Sequence, residues 1–137
     1  MTYLRKCIHC GTKAKTENDL ISFVTDNTCR YNKTNKCKPC DAKIHRENNL
    51  EKKYGLSLEE YDNLLERQEG KCAICGTTEN RGPGFRLVVD HNHDTGKVRG
   101  LLCNGCNTGI GNLYDNPKVV LKAYEYLITN GHYGKDD

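Results

Sequence analysis

Tryptophan is absent from this chain, phenylalanine occurs twice and methionine once. Only 36% of its 137 residues are hydrophobic, which excludes a large apolar core; small chains of this kind usually need covalent or metal staples. No stretch approaches the ~20 apolar residues of a membrane-spanning helix, so no membrane partner is expected. The start, Met1-Thr-Tyr-Leu-Arg-Lys-Cys7, has no apolar run of the export-signal kind before its first cysteine. The expected setting is therefore the cytoplasm, a reducing compartment where thiols persist and paired cysteines bind metal.

Positive charge is short in one half and abundant in the other. Residues 56–137 carry 9 Lys/Arg against 12 Asp/Glu, a balance of −3, whereas residues 1–55 carry 12 against 6, a balance of +6. A basic front half suits a polyanion such as DNA, through phosphate neutralisation and counterion release.

Cysteine is what this chain has in quantity, nine in all. Eight fall into two sets of one layout: Cys7-x2-Cys10 with Cys37-x2-Cys40, and Cys72-x2-Cys75 with Cys103-x2-Cys106. Each x2 turn brings two sulfurs to about 3.5–4 Å, one edge of a zinc tetrahedron. Two structural zinc sites are expected, with Cys29 left over as a free or structural thiol. The competing reading of the eight is disulfides or a redox pair, which the reducing setting disfavours. The chain divides accordingly into an N-terminal four-cysteine module over residues 1–50 and a second domain over 51–137.

The pattern predicts a basic helix from Pro39 to Tyr54, ended near Gly55. Ser57-Leu-Glu-Glu60 reads as a capping box opening a second helix through about Gln68, with Leu58, Tyr61, Leu64 and Leu65 on its apolar face. Asn80–Gly84 reads as a loop, Phe85–Asp90 and Lys97–Leu102 as strands, and Asp94-Thr-Gly96 as the turn between them. A short helix should open near Cys103. A last helix should run from Pro117 to Thr129, capped by Asn116 and closed by Asn130-Gly131.

Strand, strand and helix make a ββα unit, and the residues able to do chemistry sit on it. Asp90 ends the first strand and offers a hard carboxylate oxygen; Asn107, directly after Cys106, offers an amide carbonyl. Such donors suit Mg2+ or Mn2+, which take a few protein oxygens and leave other positions to water and phosphate. His91 can accept a proton from water near neutral pH, and His93 lies two residues on. Taken singly, an Asp-His pair is more often surface decoration, and an Asn after a CxxC pair is more often a cap. The weight lies in their conjunction between the halves of one cysteine quartet.

Tyr54-Gly-Leu-Ser57, Cys72-Ala-Ile-Cys75, Asp90-His-Asn-His93, Gly96-Lys-Val-Arg-Gly-Leu-Leu-Cys103 and Asn104-Gly-Cys106-Asn107 together resemble the recombination endonuclease VII family, a phage branch of the HNH or His-Me finger nucleases. The resemblance covers about residues 54–128. It implies a small, zinc-stapled α+β fold with a ββα-metal nuclease core flanked by helices. It also implies structural zinc on Cys72, Cys75, Cys103 and Cys106, a catalytic divalent cation on Asp90 and Asn107, His91 as general base and His93 as a phosphate or transition-state contact. The sequence departs from the family at Ile110, where the founding member has an acidic residue.

The expected activity is metal-dependent hydrolysis of phosphodiester bonds in duplex or branched DNA, in the host cytoplasm if the chain is phage-encoded. Arg99 is expected to clamp a phosphate, and Lys33, Lys36, Lys38, Lys43 and Arg46 to contact DNA from the first module. The apolar stripes at 57–68 and 117–129 allow a homodimer. The alternative reading is a tandem zinc module that binds nucleic acid without cutting it.

Overall fold

A computed structural model describes residues 2–78 and 86–129. The expected loop at Asn80–Gly84, the strand start at Phe85 and the helix end at Asn130-Gly131 lie outside the described residues. The chain splits into two compact units, Met1–Leu58 and Glu59–Asp137. No helix of the described residues is long and apolar enough to cross a membrane.

The first unit is built from four short strands the sequence did not announce. β1 (Arg5–Lys6) pairs antiparallel with β2 (Lys13–Ala14), and β3 (Phe23–Thr25) with β4 (Lys33–Cys37), the latter pair with a register irregularity. Their core holds only Cys7, Ala14, Leu20, Phe23 and Cys37, with Leu4 and Cys40 packed against it. So few apolar groups cannot hold a fold alone, which is why two of the five buried residues being cysteines matters. Arg5 ties the hairpins together by donating to the carbonyls of Lys33 and Arg30.

β4 leads into α1 (Lys38–Tyr54), with Pro39 in its first turn, where a missing N–H costs nothing. α1 ends at Gly55, whose left-handed φ of 64° lets its N–H reach back to the carbonyls of Leu50 and Glu51.

The second unit opens with α2 (Leu58–Arg67), and β5 (Val88–His91) then pairs antiparallel with β6 (Val98–Leu102). α3 (Asn104–Asn112) packs on both strands, and α4 (Pro117–Thr129) follows. Tyr61, Leu87, Val89, Leu101 and Leu102 are buried, and the Tyr61 hydroxyl donates to the Leu87 carbonyl at 2.6 Å. Asn92 closes the hairpin between β5 and β6: its side-chain oxygen accepts from the amides of Asp94 and Thr95 at 2.8 and 3.0 Å, and Gly96 turns with φ 71°.

Gln68 holds the far side of β6. Its side-chain oxygen accepts from the Leu101 amide at 2.9 Å, and its nitrogen donates to the Leu101 and Lys71 carbonyls at 2.8 Å each. Position 100 must be small for this: a Cβ on Gly100 would stand 3.1 Å from that Gln68 oxygen. Replacing Gln68 with Ala leaves the buried Leu101 amide without its acceptor, at a cost of about 2 kcal/mol. Denaturant unfolding of the metal-loaded chain measures it, and an unchanged midpoint would rule the clamp out.

Candidate metal centres and active site

All nine cysteines are free thiols. The four sulfurs of Cys7, Cys10, Cys37 and Cys40 lie within 4.8 Å of one another, and so do those of Cys72, Cys75, Cys103 and Cys106. The Cys10–Cys37 and Cys75–Cys103 sulfurs are 3.6 and 3.7 Å apart. Tetrahedral thiolate coordination with bonds of about 2.3 Å has edges of about 3.8 Å, whereas a disulfide needs about 2.05 Å. Both quartets therefore have the spacing of a zinc site and exclude disulfides.

The two quartets are built alike. In each first pair the leading cysteine amide donates to the threonine five residues on, Cys7 to Thr12 and Cys72 to Thr77, both at 2.8 Å. A glycine returns its amide to that cysteine's carbonyl, Gly11 to Cys7 at 2.9 Å and Gly76 to Cys72 at 3.0 Å. These turns require positive φ, 79° at Gly11 and 71° at Gly76. In each second pair the leading cysteine caps a helix: Cys37 precedes α1 and Cys103 precedes α3. Both cysteines thus stand where the free N–H groups of a helix's first turn begin.

The N–H groups of Cys37 and Cys10 pull the Cys7 thiol down to about 5, and the Thr77 hydroxyl, then its N–H, pulls Cys75 down to about 6. Cys40, beside Cys37 and Cys10, is pushed up to about 12; burial, then Cys103, does the same to Cys106. Four sulfurs this close cannot all ionise without a cation among them.

Above the second quartet the hairpin is bulged. Asp90 faces Gly100 and His91 faces Val98, so Arg99 is the extra residue on β6. A bulge bends its strand and re-aims the side chains beside it. Arg99 thereby reaches back to Asp90, its Nε 2.7 Å from Oδ2 and its NH2 2.8 Å from Oδ1. Asp90 is the one buried charged residue among those described, 7% exposed, and this fork compensates it. Both carboxylates around it hold the Arg99 guanidinium firmly protonated, Asp90 the more strongly.

Asp115 extends the chain. It lies 3.2 Å from the Arg99 NH2 through Oδ1 and 3.3 Å from the His93 Nε2 through Oδ2. His93 in turn stands against His91, ring centroids 4.7 Å apart. Asn92, His93, Asp94, Arg99, Gly111, Tyr114 and Asp115 line a groove of about 540 Å³. The sequence reading missed Asp115. It sits with Tyr114 at left-handed φ (51° and 61°) in the turn from α3 to α4, and nothing local in Tyr114-Asp-Asn marks it. Strain of this kind costs of order 1–3 kcal/mol per residue and persists where surroundings over-determine it; here the Asp115 amide is held by the Ile110 carbonyl at 2.9 Å.

Asn107 lies on α3, half-buried, its amide bonded to the Cys103 carbonyl at 3.0 Å; its carboxamide takes no part in the hydrogen-bonded chain from Asp90 to His93. Arg99, expected to face a phosphate, is instead forked on Asp90. Among the expected DNA contacts, Lys38 and Lys43 are exposed and Arg46 is half-buried on α1. Lys33 donates to Thr25 and Phe23 at 2.9 and 3.3 Å, and Lys36 pairs with Asp41 at 3.3 Å. Cys29, half-buried, belongs to neither quartet.

Comparison with known proteins gives a family and two sets of relatives. The model of the family described as recombination endonuclease VII matches residues 47–129. The Gene 59 protein of Mycobacterium phage D29 is 45% identical over 75 residues, 54% of this chain and 44% of that protein. The Gene 59 protein of Mycobacterium phage L5 is 43% identical over 77 residues, 56% of this chain and 46% of that one. The match thus spans less than half the length of these curated relatives. Among solved structures, the ββα-Me type II restriction endonuclease Hpy99I is 27% identical, with a TM-score of 0.40, over 95% of this chain and 72% of that one.

Elemental analysis of the purified chain should find two equivalents of thiolate-bound zinc. Cys10→Ser and Cys103→Ser should each lose one, and Cys103→Ser should also lose the near-ultraviolet signal of the packed second unit. Full zinc content in either variant would dissolve the quartet assignment.

Proposed function

Since this chain belongs to the recombination endonuclease VII family, we propose that it is a DNA endonuclease of the HNH type that hydrolyses phosphodiester bonds with a divalent cation. The observation that carries the reading is the pair Asp90 and His91 ending β5, on a hairpin whose second strand is bulged at Arg99 and runs into a thiol quartet. Asp90 and Asn107 would hold Mg2+ or Mn2+, and the donor set fits by its chemistry: a nine-tenths buried carboxylate, and a carboxamide on the helix packed against its strand. The cation, when bound, supplies charge to stabilise the pentacovalent phosphorus and the departing 3′ oxygen.

The chain's own residues do the rest. His91 takes a proton from water as the water oxygen bonds to phosphorus, and the bond from phosphorus to the 3′ oxygen breaks. His93, held by Asp115, contacts the phosphate. Zinc occupies both quartets and fixes the frame around these groups. DNA, duplex or branched, is gripped from α1 through Lys38, Lys43 and Arg46, with Lys33 and Lys36 joining once they leave their present partners. The setting is the cytoplasm, the host's if the chain is phage-encoded, and a homodimer pairing apolar faces of α2 and α4 would give paired cuts.

The first unit offers the scaffold without the chemistry. It repeats the order hairpin, cysteine pair, helix in β3, β4 and α1. Counted from Cys37 as Asp90, His91 and Asn107 are counted from Cys103, its corresponding residues are Val24, Thr25 and Asp41. This difference supports a reading in which the second unit cuts and the first grips.

In a plasmid-nicking assay, the wild-type chain should cut only with Mg2+ or Mn2+. His91→Ala should slow cutting by about 10²–10⁴-fold, with zinc content and circular dichroism unchanged. A gel shift without nicks from the wild-type chain would favour the non-catalytic binding module, and full activity in His91→Ala would remove the base assignment.

A further inference from the structure

Asp90 and Asp115 share one guanidinium. The same Arg99 NH2 that touches Asp90 Oδ1 at 2.8 Å stands 3.2 Å from Asp115 Oδ1. Asp90 is the more enclosed, its side chain 10% exposed against 21% for Asp115 and 37% for Arg99. A buried carboxylate needs a counter-charge, and Arg99 supplies it with both Asp90 oxygens engaged. Those are the oxygens a divalent cation would take. A cation and a guanidinium at the same two oxygens repel each other and compete for lone pairs, so each weakens the other's hold.

We propose that Arg99 is the resident counter-ion of Asp90, which a divalent cation displaces, and that Asp115 is a positioning residue giving the guanidinium a second seat. The inference rests on the reading of Asp90 as a cation ligand. Because Asp115 is already in reach, the exchange needs only a side-chain rotation. Arg99 already lines the groove with His93 and Asp115, so once released from Asp90 it can meet a DNA phosphate there. The phosphate clamp expected of Arg99 thus becomes its role after displacement. The left-handed turn at Tyr114-Asp115 keeps the second carboxylate in place.

The test reads Mn2+ binding to the zinc-loaded full chain without DNA, by the electron paramagnetic resonance of free Mn2+. Removing the competitor in Arg99→Gln should tighten binding about 10-fold. Asp115→Asn, which keeps a residue tolerant of left-handed φ, should weaken it by confining Arg99 to Asp90. In the Arg99→Gln background the Asp115→Asn effect should vanish. Unchanged or weaker binding in Arg99→Gln overturns the proposal, as does an Asp115→Asn effect of equal size with and without Arg99, which would make Asp115 a direct charge or ligand.

Should Arg99→Gln prove unstable, Mn2+ should raise its melting temperature more than that of the wild type, and an equal rise again overturns the proposal. Asp90→Asn separates the two levels. If it abolishes Mn2+ binding while Arg99→Gln behaves as wild type, only the exchange fails; if it binds Mn2+ as well as wild type, the cation reading of Asp90 fails first.

Discussion

Four sulfurs from two distant stretches, Cys72-x2-Cys75 and Cys103-x2-Cys106, meet at one point, and the second unit is arranged around that meeting. Its apolar interior is small, so burial alone gives little. The sulfur junction ties the turn after α2 to the corner where β6 becomes α3. β5 is then held by pairing to β6, and Asp90 and His91 by their places on β5. Asp90 and His91 are thereby tied to the sulfur junction although neither is a thiol.

The first unit shows the same construction emptied of reactive groups. Its glycine-closed turn, its cysteine at a helix N-terminus and its preceding hairpin match those of the second unit in order and hydrogen bonding. Where one carries an acid and an imidazole, the other carries Val24 and Thr25. Asp41, standing where Asn107 stands, accepts Lys36 and His45 at 3.3 and 3.4 Å. A scaffold whose fold depends on four thiols leaves its other positions free to differ, and the two units use that freedom in different directions.

Much of this was legible from residue order. The helices at 38–54, 58–67 and 117–129 were expected to within a residue or two, because proline, glycine and caps mark their ends, and of the helix at 104–112 the start was expected. Cysteine spacing located both quartets. What escaped has a common cause. β1 and β2 are two residues each, too short to show alternation. Gln68 acts through bonds to Leu101, 33 positions away, and Asp115 through Arg99, 16 positions away. Side chains that work across such separations leave no periodic trace. The Arg99 fork on Asp90 depends on a bulge, and one extra residue in a strand does not alter a hydrophobic pattern this short.

The Gln68 clamp also bears on what this chain does in company. A two-stranded ribbon has two open rims of peptide groups, and unpaired rims are templates for strand addition by other molecules. On the outer rim of β6, the Leu101 amide and carbonyl are already engaged by a carboxamide, and the Ala73 amide reaches the same carbonyl at 3.1 Å. A stray extended segment arriving there finds a side chain standing in for the strand it would have become. One glutamine thus serves as a blunt end for that rim of the ribbon.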